Sequence, residues 1–200
     1  MKIYFHLNVE TFSNSYLVVN EASREAVIID PCKITKEIIN QLEDGGYRLK
    51  AALVTHKHES HISGLSTLQK IYDIDIYAAD AEVCGEENLL KGDGEIKIAG
   101  LSISHYSVPG HSADSIVYKI GNALFTGDVI SAGLIGSSSC NYTHTRLTSG
   151  IKSKLFTMAD ANLIFPGHGP LSSIGAEKIF NTEVGSKPWL TADKPDSSGV

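Results

Sequence analysis

The sequence predicts an α/β fold in which two sheets lie back to back and helices cover their outer sides. Its 200 residues, of which 42% are hydrophobic and 20% charged, suffice for one domain with a sizeable core. Both halves alternate short β-branched runs with an amphipathic stretch, which is typical of strand, helix, strand units. Both halves also place an Asp, and later a His, directly after such strands. This parallel indicates an internal duplication.

The first half begins as a sheet and continues as a crossover unit. Short β-branched runs predict three strands, over residues 2–7, 16–19 and 26–29. Apolar residues at helical spacing predict the next helix, which two glycines end: Ile34, Ile38, Ile39 and Leu42. A buried-strand pattern over 50–54 and a second helix over 64–72 follow. Residues 55–61 therefore lie at the carboxyl end of a strand, where α/β sheets commonly bind ligands.

The second half repeats this organisation with more strands. Its apolar runs predict strands over residues 95–98, 101–106, 115–120, 123–125 and 162–165, and a helix near 149–158. The stretch 131–148 has no helical or strand period, which predicts a long loop. We expect residues 1–190 to form a single domain and residues 191–200 to form a flexible tail, because the latter are polar and contain Pro and Ser-Ser-Gly.

Composition and charge disfavour several classes of partner. A net charge of -6 argues against nucleic acid, since phosphate binding depends on Lys and Arg. The longest apolar runs have four residues, far below the ~20 that cross a bilayer, and the start of the chain lacks a secretory pattern. Three cysteines without a CxxC pair fit a reducing compartment. We expect a cytoplasmic protein that acts on a small molecule, with its oligomeric state left open.

Five of the eight histidines lie in contexts that suit metal ligands. Three fall in residues 55–61, and the other two each follow a Pro-Gly turn: His56, His58, His61, His111 and His168. Asp128 ends another strand, and Gly127 before it lets the backbone turn and present the carboxylate. Catalytic zinc is held by imidazole nitrogens and carboxylate oxygens and keeps one position open for water. A single His after Pro-Gly is usually a turn residue. The prediction of a metal site therefore rests on the five histidines and Asp128 together.

At these residues the chain resembles the metallo-β-lactamase superfamily, whose ordered motifs are His-x-His-x-Asp-His, a lone His, an Asp and a final His. The resemblance implies an αββα four-layer sandwich of two mixed sheets with helices outside and a metal site between the sheet edges. It also implies that one metal is held by His56, His58 and His111, that a second is held by His61 and His168, and that Asp128 bridges them. The nucleophile would be a bridging water whose pKa the cations lower to give metal-bound hydroxide.

The segments around Asp128 and His168, Phe-Thr-Gly-Asp and Phe-Pro-Gly-His-Gly-Pro, look most like short glyoxalase II-like hydrolases, which cleave thioesters. This resemblance implies a metal-dependent hydrolase of a small thioester or another activated acyl compound, with Asp128 as the catalytic residue that orients the nucleophile. The expected cofactor is zinc, one or two ions, with iron or manganese as alternatives. Glyoxalase II carries a helical C-terminal domain that grips glutathione, whereas 32 residues follow His168 here, so recognition of glutathione stays open.

Ser60 departs from the family pattern, because it stands where the family has the Asp that ligates the second metal. A neutral hydroxyl there lowers the expected affinity for a second cation. We expect Ser60 to cap the helix beginning near His61, and Asp30 to orient a ligand histidine rather than bind metal. Tyr142 and His144, in the predicted 131–148 loop, are candidate substrate-binding residues, since loops over a site commonly carry specificity.

Two alternatives accompany the hydrolase hypothesis. An iron-dependent sulfur dioxygenase of the same superfamily would use one iron held by His56, His111 and Asp128, a two-His-one-carboxylate set that leaves positions open for oxygen. A non-catalytic metal-binding module would explain the substitution at Ser60 as a sign of lost activity. Metal analysis separates the dioxygenase from the hydrolase, because one iron indicates oxygen chemistry and zinc or manganese indicates hydrolysis. Inertness toward every ester and thioester in a metal-replete sample would favour the non-catalytic module.

Overall fold

The computed structural model describes residues 1–186, which form two mixed β-sheets packed face to face. The predicted tail over 191–200, and the last residues of the domain predicted over 1–190, lie outside the described residues. The first sheet has five strands in chain order: β1 (Lys2–Asn8), β2 (Ser13–Asn20), β3 (Glu25–Ile29), β4 (Arg48–Leu53) and β5 (Asp75–Tyr77). Its first three strands are antiparallel and its last three parallel, because helical crossovers join the latter.

The second half of the chain builds the other sheet and a small hairpin. Its strands are β6 (Gly94–Ile98), β7 (Leu101–Ser107), β8 (Ile116–Ile120), β9 (Ala123–Gly127), β10 (Ile130–Ser131), β11 (Leu134–Ile135), β12 (Leu163–Pro166) and β13 (Ser172–Ser173). The sheet order is β13-β12-β9-β8-β7-β6, and β10 pairs with β11 alone. Only β9 and β12 run parallel, so this sheet is also mixed.

Helices connect these strands. They are α1 (Lys36–Gly45), α2 (Glu59–Ile62), α3 (Leu65–Ile71), α4 (Ala81–Cys84), α5 (Asn141–Gly150) and α6 (Ile174–Phe180), with a π-helical turn over Ile151–Leu155 directly after α5. In α1 the Thr35 hydroxyl accepts a hydrogen bond from the backbone of Ile38, and Gly46 ends the helix with a positive φ of 58°. No helix within residues 1–186 is long and apolar enough to cross a membrane.

Alternation along the strands produces four layers. In β2, Tyr16 and Val18 pack between the two sheets, whereas Leu17 and Val19 pack on the outer face with residues of α1. A third apolar cluster joins the outer face of the second sheet to α5, the π-helical turn and α6. Each sheet therefore buries both faces, and the predicted αββα sandwich is confirmed.

Aromatic side chains fill the space between the sheets near the carboxyl ends of β9 and β12. The rings of Tyr16, Phe125 and Phe165 lie 5.1 to 5.4 Å apart, centroid to centroid. The Tyr16 hydroxyl donates to the Pro166 carbonyl at 2.7 Å, which joins β2 of the first sheet to β12 of the second. This contact places the end of β12 relative to the opposite sheet.

The prediction of a long loop over residues 131–148 is wrong. That stretch contains the β10–β11 hairpin and almost all of α5, and the helix predicted near 149–158 is instead the end of α5 followed by the π-helical turn. The prediction failed because the first two turns of α5 are polar and exposed, and Leu147 is the one buried residue of the helix. The available signal was the spacing of Leu147, Ile151 and Leu155, which form one buried stripe.

Tyr118 offers a test of the inter-sheet core. Its side chain is fully buried, and its hydroxyl donates to the Val54 carbonyl at 2.9 Å. Tyr118→Phe should reduce the free energy of unfolding by about 1–3 kcal/mol in urea titrations, because the carbonyl loses a partner in the interior. Tyr72→Phe, which removes an exposed hydroxyl bonded to Glu43, should change it by less than about 0.5 kcal/mol. Equal losses in both variants would contradict this account.

Candidate metal centre

The candidate site lies on one rim of the sandwich, where strands of both sheets end. His56 follows β4, Asp128 follows β9 and His168 follows β12, while His111 comes from the loop between β7 and β8. Carboxyl ends of neighbouring parallel strands share an edge, so β3 and β4 meet there, as do β9 and β12. The packing of one sheet on the other brings these two edges together.

Four ligand atoms, from His56, His58, His111 and Asp128, lie within 4.8 Å of one another. Nδ1 of His58 is 2.9 Å from Nε2 of His56 and 3.1 Å from Nε2 of His111. Nitrogens that bind a tetrahedral zinc with bonds of 2.0–2.1 Å would lie about 3.3 Å apart. The three imidazoles thus have the spacing of ligands to a single cation.

A second group, from His61, Asp128 and His168, shares the same carboxylate. Nδ1 of His168 is 2.8 Å from Oδ1 of Asp128, and Nε2 of His61 is 3.5 Å from Oδ2. The His61 ring is fully buried, and its Nε2 has no hydrogen-bond partner among residues 1–186. A buried polar atom without a partner is costly, and a cation bound at Nε2 would remove that cost. The donor set therefore fits a metal.

The protonation states of the cluster also favour a cation. Burial, together with neighbouring His61, lowers the pKa of His56 to about 3, and burial lowers the pKa of His58 as well. A hydrogen bond from His168 at 2.8 Å and the positive charge of nearby His61 hold the pKa of the Asp128 carboxyl well below its usual range in spite of burial. Neutral imidazoles beside an ionised carboxylate are the forms that bind a metal.

His61 has the opposite pKa shift from His56. Burial alone would lower the pKa of His61, but the Asp30 and Asp128 carboxylates outweigh it and raise the pKa to about 10. These two negative groups stabilise a positive charge at the imidazole. They would equally stabilise a metal ion that replaced the proton on Nε2.

Asp30 lies behind the cluster, where it orients His61. Its Oδ2 accepts a hydrogen bond from His61 Nδ1 at 3.0 Å and one from the Thr55 hydroxyl at 2.7 Å, while Oδ1 accepts the Thr55 backbone N–H at 2.8 Å. The bond at Nδ1 turns Nε2 of His61 toward Asp128. His111 is held similarly, since its Nδ1 donates to the Ser137 carbonyl at 2.9 Å. Sequence reasoning missed Thr55 and Ser137, whose residue types carry no metal signal.

Two glycines allow the ligands to approach so closely. A Cβ at Gly167 would lie 2.5 Å from Cε1 of His61 and 2.6 Å from Oδ1 of Asp128. A Cβ at Gly136 would lie 2.0 Å from the Asp128 carbonyl oxygen and 2.9 Å from the His111 ring. Any side chain at either position would displace a candidate ligand. The Pro-Gly-His pattern already marked Gly167, whereas Gly136 sits in the stretch taken for a loop.

Ser60 does not cap the helix, and that expectation is wrong. The helix α2 begins at Glu59, with His58 at the N-cap position, so Ser60 already lies within its first turn. Its side chain lines a cavity of about 490 Å³ together with Glu10, Lys33 and Glu59. The helix starts earlier than predicted: His58 is still extended, with φ of -63° and ψ of 139°, and the helical residues begin at Glu59.

Tyr142 and His144, the predicted substrate-binding residues, lie on α5 and in neither ligand group. Tyr142 is 68% exposed and lines a cavity of about 410 Å³ that it shares with Arg146. His144 instead faces Glu183, with Nε2 3.8 Å from a carboxylate oxygen. The two residues therefore have different surroundings, although they are neighbours in the sequence.

A model of the metallo-β-lactamase superfamily matches residues 8–168, and the chain belongs to this superfamily. The probable metallo-hydrolase YqgX of Bacillus subtilis is 29% identical over 194 residues, covering 84% of this chain and 90% of that protein. The hydroxyacylglutathione hydrolase GloC of Haemophilus influenzae is 27% identical over 204 residues, covering 90% and 96%. The crystal structure of ETHE1 from Myxococcus xanthus is similar with a TM-score of 0.85 at 25% identity, covering 98% and 93%. The chain is a metal-dependent hydrolase of this superfamily.

Asp30 provides a test of how the cluster is supported. Asp30→Asn should weaken the binding of an added divalent metal about 10–100-fold, with Zn²⁺ as the probe, because the neutral amide no longer stabilises His61 as it faces the cation. Competition with a chromogenic chelator measures this affinity. Asp73→Asn, at an exposed position outside both ligand groups, should leave it unchanged. Unaltered affinity in Asp30→Asn would show that the contact with His61 does not support the site.

Proposed function

We propose that this chain hydrolyses a small thioester or another activated acyl compound in the cytoplasm, with zinc bound by the His and Asp cluster. The observation that carries the proposal is the convergence of three imidazole nitrogens and the Asp128 carboxylate within 4.8 Å. Nitrogen donors with one carboxylate suit zinc better than magnesium or calcium, which prefer oxygen. The free state of all three cysteines supports a reducing compartment.

The comparison with GloC supports the substrate class, since a hydroxyacylglutathione is a thioester and that relative is named as its hydrolase. A cavity of about 190 Å³ opens over His111, Asp128 and His168, so an acyl group can reach the cluster from this side. His168 is 38% exposed on its side chain and His58 is also exposed, so each group has a ligand that solvent and substrate can reach. A small acyl compound suits a cavity of this size.

The residues of the cluster have different roles in the proposed hydrolysis. When bound, zinc would lower the pKa of a water and polarise the acyl carbonyl. His56, His58 and His111 would hold the first ion, with Asp128, and His61 and His168 would hold a second. Asp128 Oδ2 lies 3.5 to 3.8 Å from nitrogens of His56, His61 and His111, so its charge is shared by both groups. Asp128 orients the nucleophile and accepts its hydrogen bond.

The count of metal ions depends on Ser60. We infer that the group containing three histidines fills first, because the other group offers one histidine fewer beside the shared carboxylate. Titration of metal-free protein should give two unequal steps. Ser60→Asp should tighten the second step by returning a negative ligand.

Ser66→Asp is the matched control for Ser60→Asp, since it adds the same charge at an exposed position on α3. It should leave both steps unchanged. Two equally tight sites in the wild type would contradict the inferred order of filling. A second step that Ser60→Asp does not tighten would show that position 60 does not face the metal.

Asp128→Asn tests the proposed catalytic centre. The amide has the same shape but carries no charge, so the variant should keep some zinc on the three histidines and lose on the order of 10²–10⁴ in hydrolysis rate. Metal content and thioester turnover are measured on the same sample. Asp44→Asn, an exposed change on α1, should retain both. Full activity in Asp128→Asn would mean that the catalytic centre lies elsewhere.

Sulfur dioxygenation is the second candidate, favoured by one geometric observation. Asp128 Oδ2 lies 3.8 Å from His56 Nε2 and 3.6 Å from His111 Nε2, which gives the two-His-one-carboxylate set of non-haem iron enzymes. The presence of His58 in the same group favours hydrolysis, because a third imidazole takes a position that oxygen would need. Oxygen uptake by iron-loaded protein with a persulfide, without thioester hydrolysis by the zinc form, would favour the second candidate.

A further inference from the structure

A groove runs from the candidate metal centre along α5. One cavity of about 210 Å³ is lined by His111 and Arg146, and the cavity of about 410 Å³ beside Tyr142 is also lined by Arg146. Pro109 lines both cavities, and His111 also lines the opening over Asp128. The shared residues show that these concavities lie side by side along α5, and together they are called here the α5 groove. Arg146 stands at its middle.

The α5 groove has an unusual charge for this protein. The chain carries 23 acidic and 17 basic residues, yet the two cavities along α5 contain no Asp or Glu among their lining residues. Their walls are rich in hydroxyl groups, including those of Ser139, Thr143 and Thr145. By contrast, the cavity beside Ser60 is lined by Glu10 and Glu59. The groove is thus built from neutral hydrogen-bond donors and cations.

Arg146 is the cation in this groove whose charge is available. The other, Lys154, lies 2.6 Å from Asp93 and also donates to the Ser107 carbonyl, so its charge is compensated. Arg146 takes part in no ion pair within the described part of the chain, and its guanidinium lies 5.8 Å from the centre of the Tyr142 ring. A free guanidinium at a concave surface that lacks carboxylates is a binding group for anions.

We propose that Arg146 determines substrate specificity by binding an anionic group, a carboxylate or a phosphate, on the part of the acyl substrate remote from the reacting carbonyl. This inference rests on the proposed function, because it assigns the substrate class of that same centre. His111 and Arg146 line one cavity, so a substrate whose reacting carbonyl lies at the metal centre can place its anion beside Arg146. The neighbouring hydroxyls supply further donors, and the Tyr142 ring covers the guanidinium.

Kinetics on three acetyl thioesters test the proposal with the zinc-loaded full chain. S-acetylglutathione carries carboxylates, acetyl-coenzyme A carries phosphates, and S-acetyl-2-mercaptoethanol is neutral. Arg146→Gln should raise KM about tenfold for the anionic thioester that the groove accepts, with kcat changed less than about twofold, and should spare the neutral one. The thioester affected identifies carboxylate or phosphate as the anion. Arg146→Lys should recover part of the loss.

Lys152→Gln is the matched control, because Lys152 is exposed on the adjacent π-helical turn and lines neither cavity. It removes the same charge and should leave all three substrates unaffected. An equal loss on neutral and anionic thioesters in Arg146→Gln, or no loss on any, would overturn the proposal. A loss shared by Lys152→Gln would assign the effect to overall charge and would overturn it as well.

Direct binding separates this inference from the proposed function. S-methylglutathione and S-methyl-coenzyme A are thioethers that cannot be hydrolysed, and calorimetry measures their affinity for the zinc-loaded protein. Weaker binding of one of them to Arg146→Gln, with unchanged binding to Lys152→Gln, would support the anion site even if no thioester were cleaved. Equal affinities for wild type and Arg146→Gln, or no binding of either thioether to the wild type, would overturn it.

Discussion

The Asp128 carboxylate is the ligand charge on which both parts of the candidate centre depend. It belongs to both ligand groups, and its pKa is held low by a hydrogen bond from His168 and by the charge of His61. Backbone packing fixes its position, since Gly167 lies against one carboxylate oxygen and Gly136 against its carbonyl. A shared charge of this kind couples the two groups, because any movement of Asp128 changes both sets of distances. The remaining ligands are arranged around this fixed point.

The relation between the two sheets is the second constraint. Ligands from β4 and from β9 and β12 meet only if the sheets keep their relative position, and β2 holds that position by hydrogen bonds to the β12 end. The Asn14 amide donates to the carbonyls of Pro166 and Gly169, beside the bond from the Tyr16 hydroxyl to Pro166. His168 lies between these two carbonyls in the sequence. Its placement is therefore a product of inter-sheet packing.

The sequence predicted the six candidate ligands and the layer order because both follow from local patterns. His and Asp residues that directly follow a strand-like run can be recognised in the sequence, and apolar periodicity indicates which side chains face the core. Local patterns do not predict contacts between residues that are distant in the sequence. The Thr55 hydroxyl donates to Asp30 and the Ser137 carbonyl accepts from His111, and both contacts form only when the chain folds. The helix α5 was not predicted for a related reason, because its first turns are polar and show no apolar periodicity. A cap formed by Cys140 and Thr143 and the burial of Leu147 stabilise it instead.

The narrow attachment of α5 has consequences for how this protein can change. A single buried residue, Leu147, anchors the helix to the second sheet, and the π-helical turn after it continues the same stripe with Ile151 and Leu155. The remaining residues of α5 are not buried against the core. The ligands on the rim, by contrast, are held in place by close backbone contacts at Gly136 and Gly167. Substitutions on the exposed turns can therefore accumulate at little cost in folding. The metal ligands can therefore stay the same while substitutions on α5 change which substrates are bound.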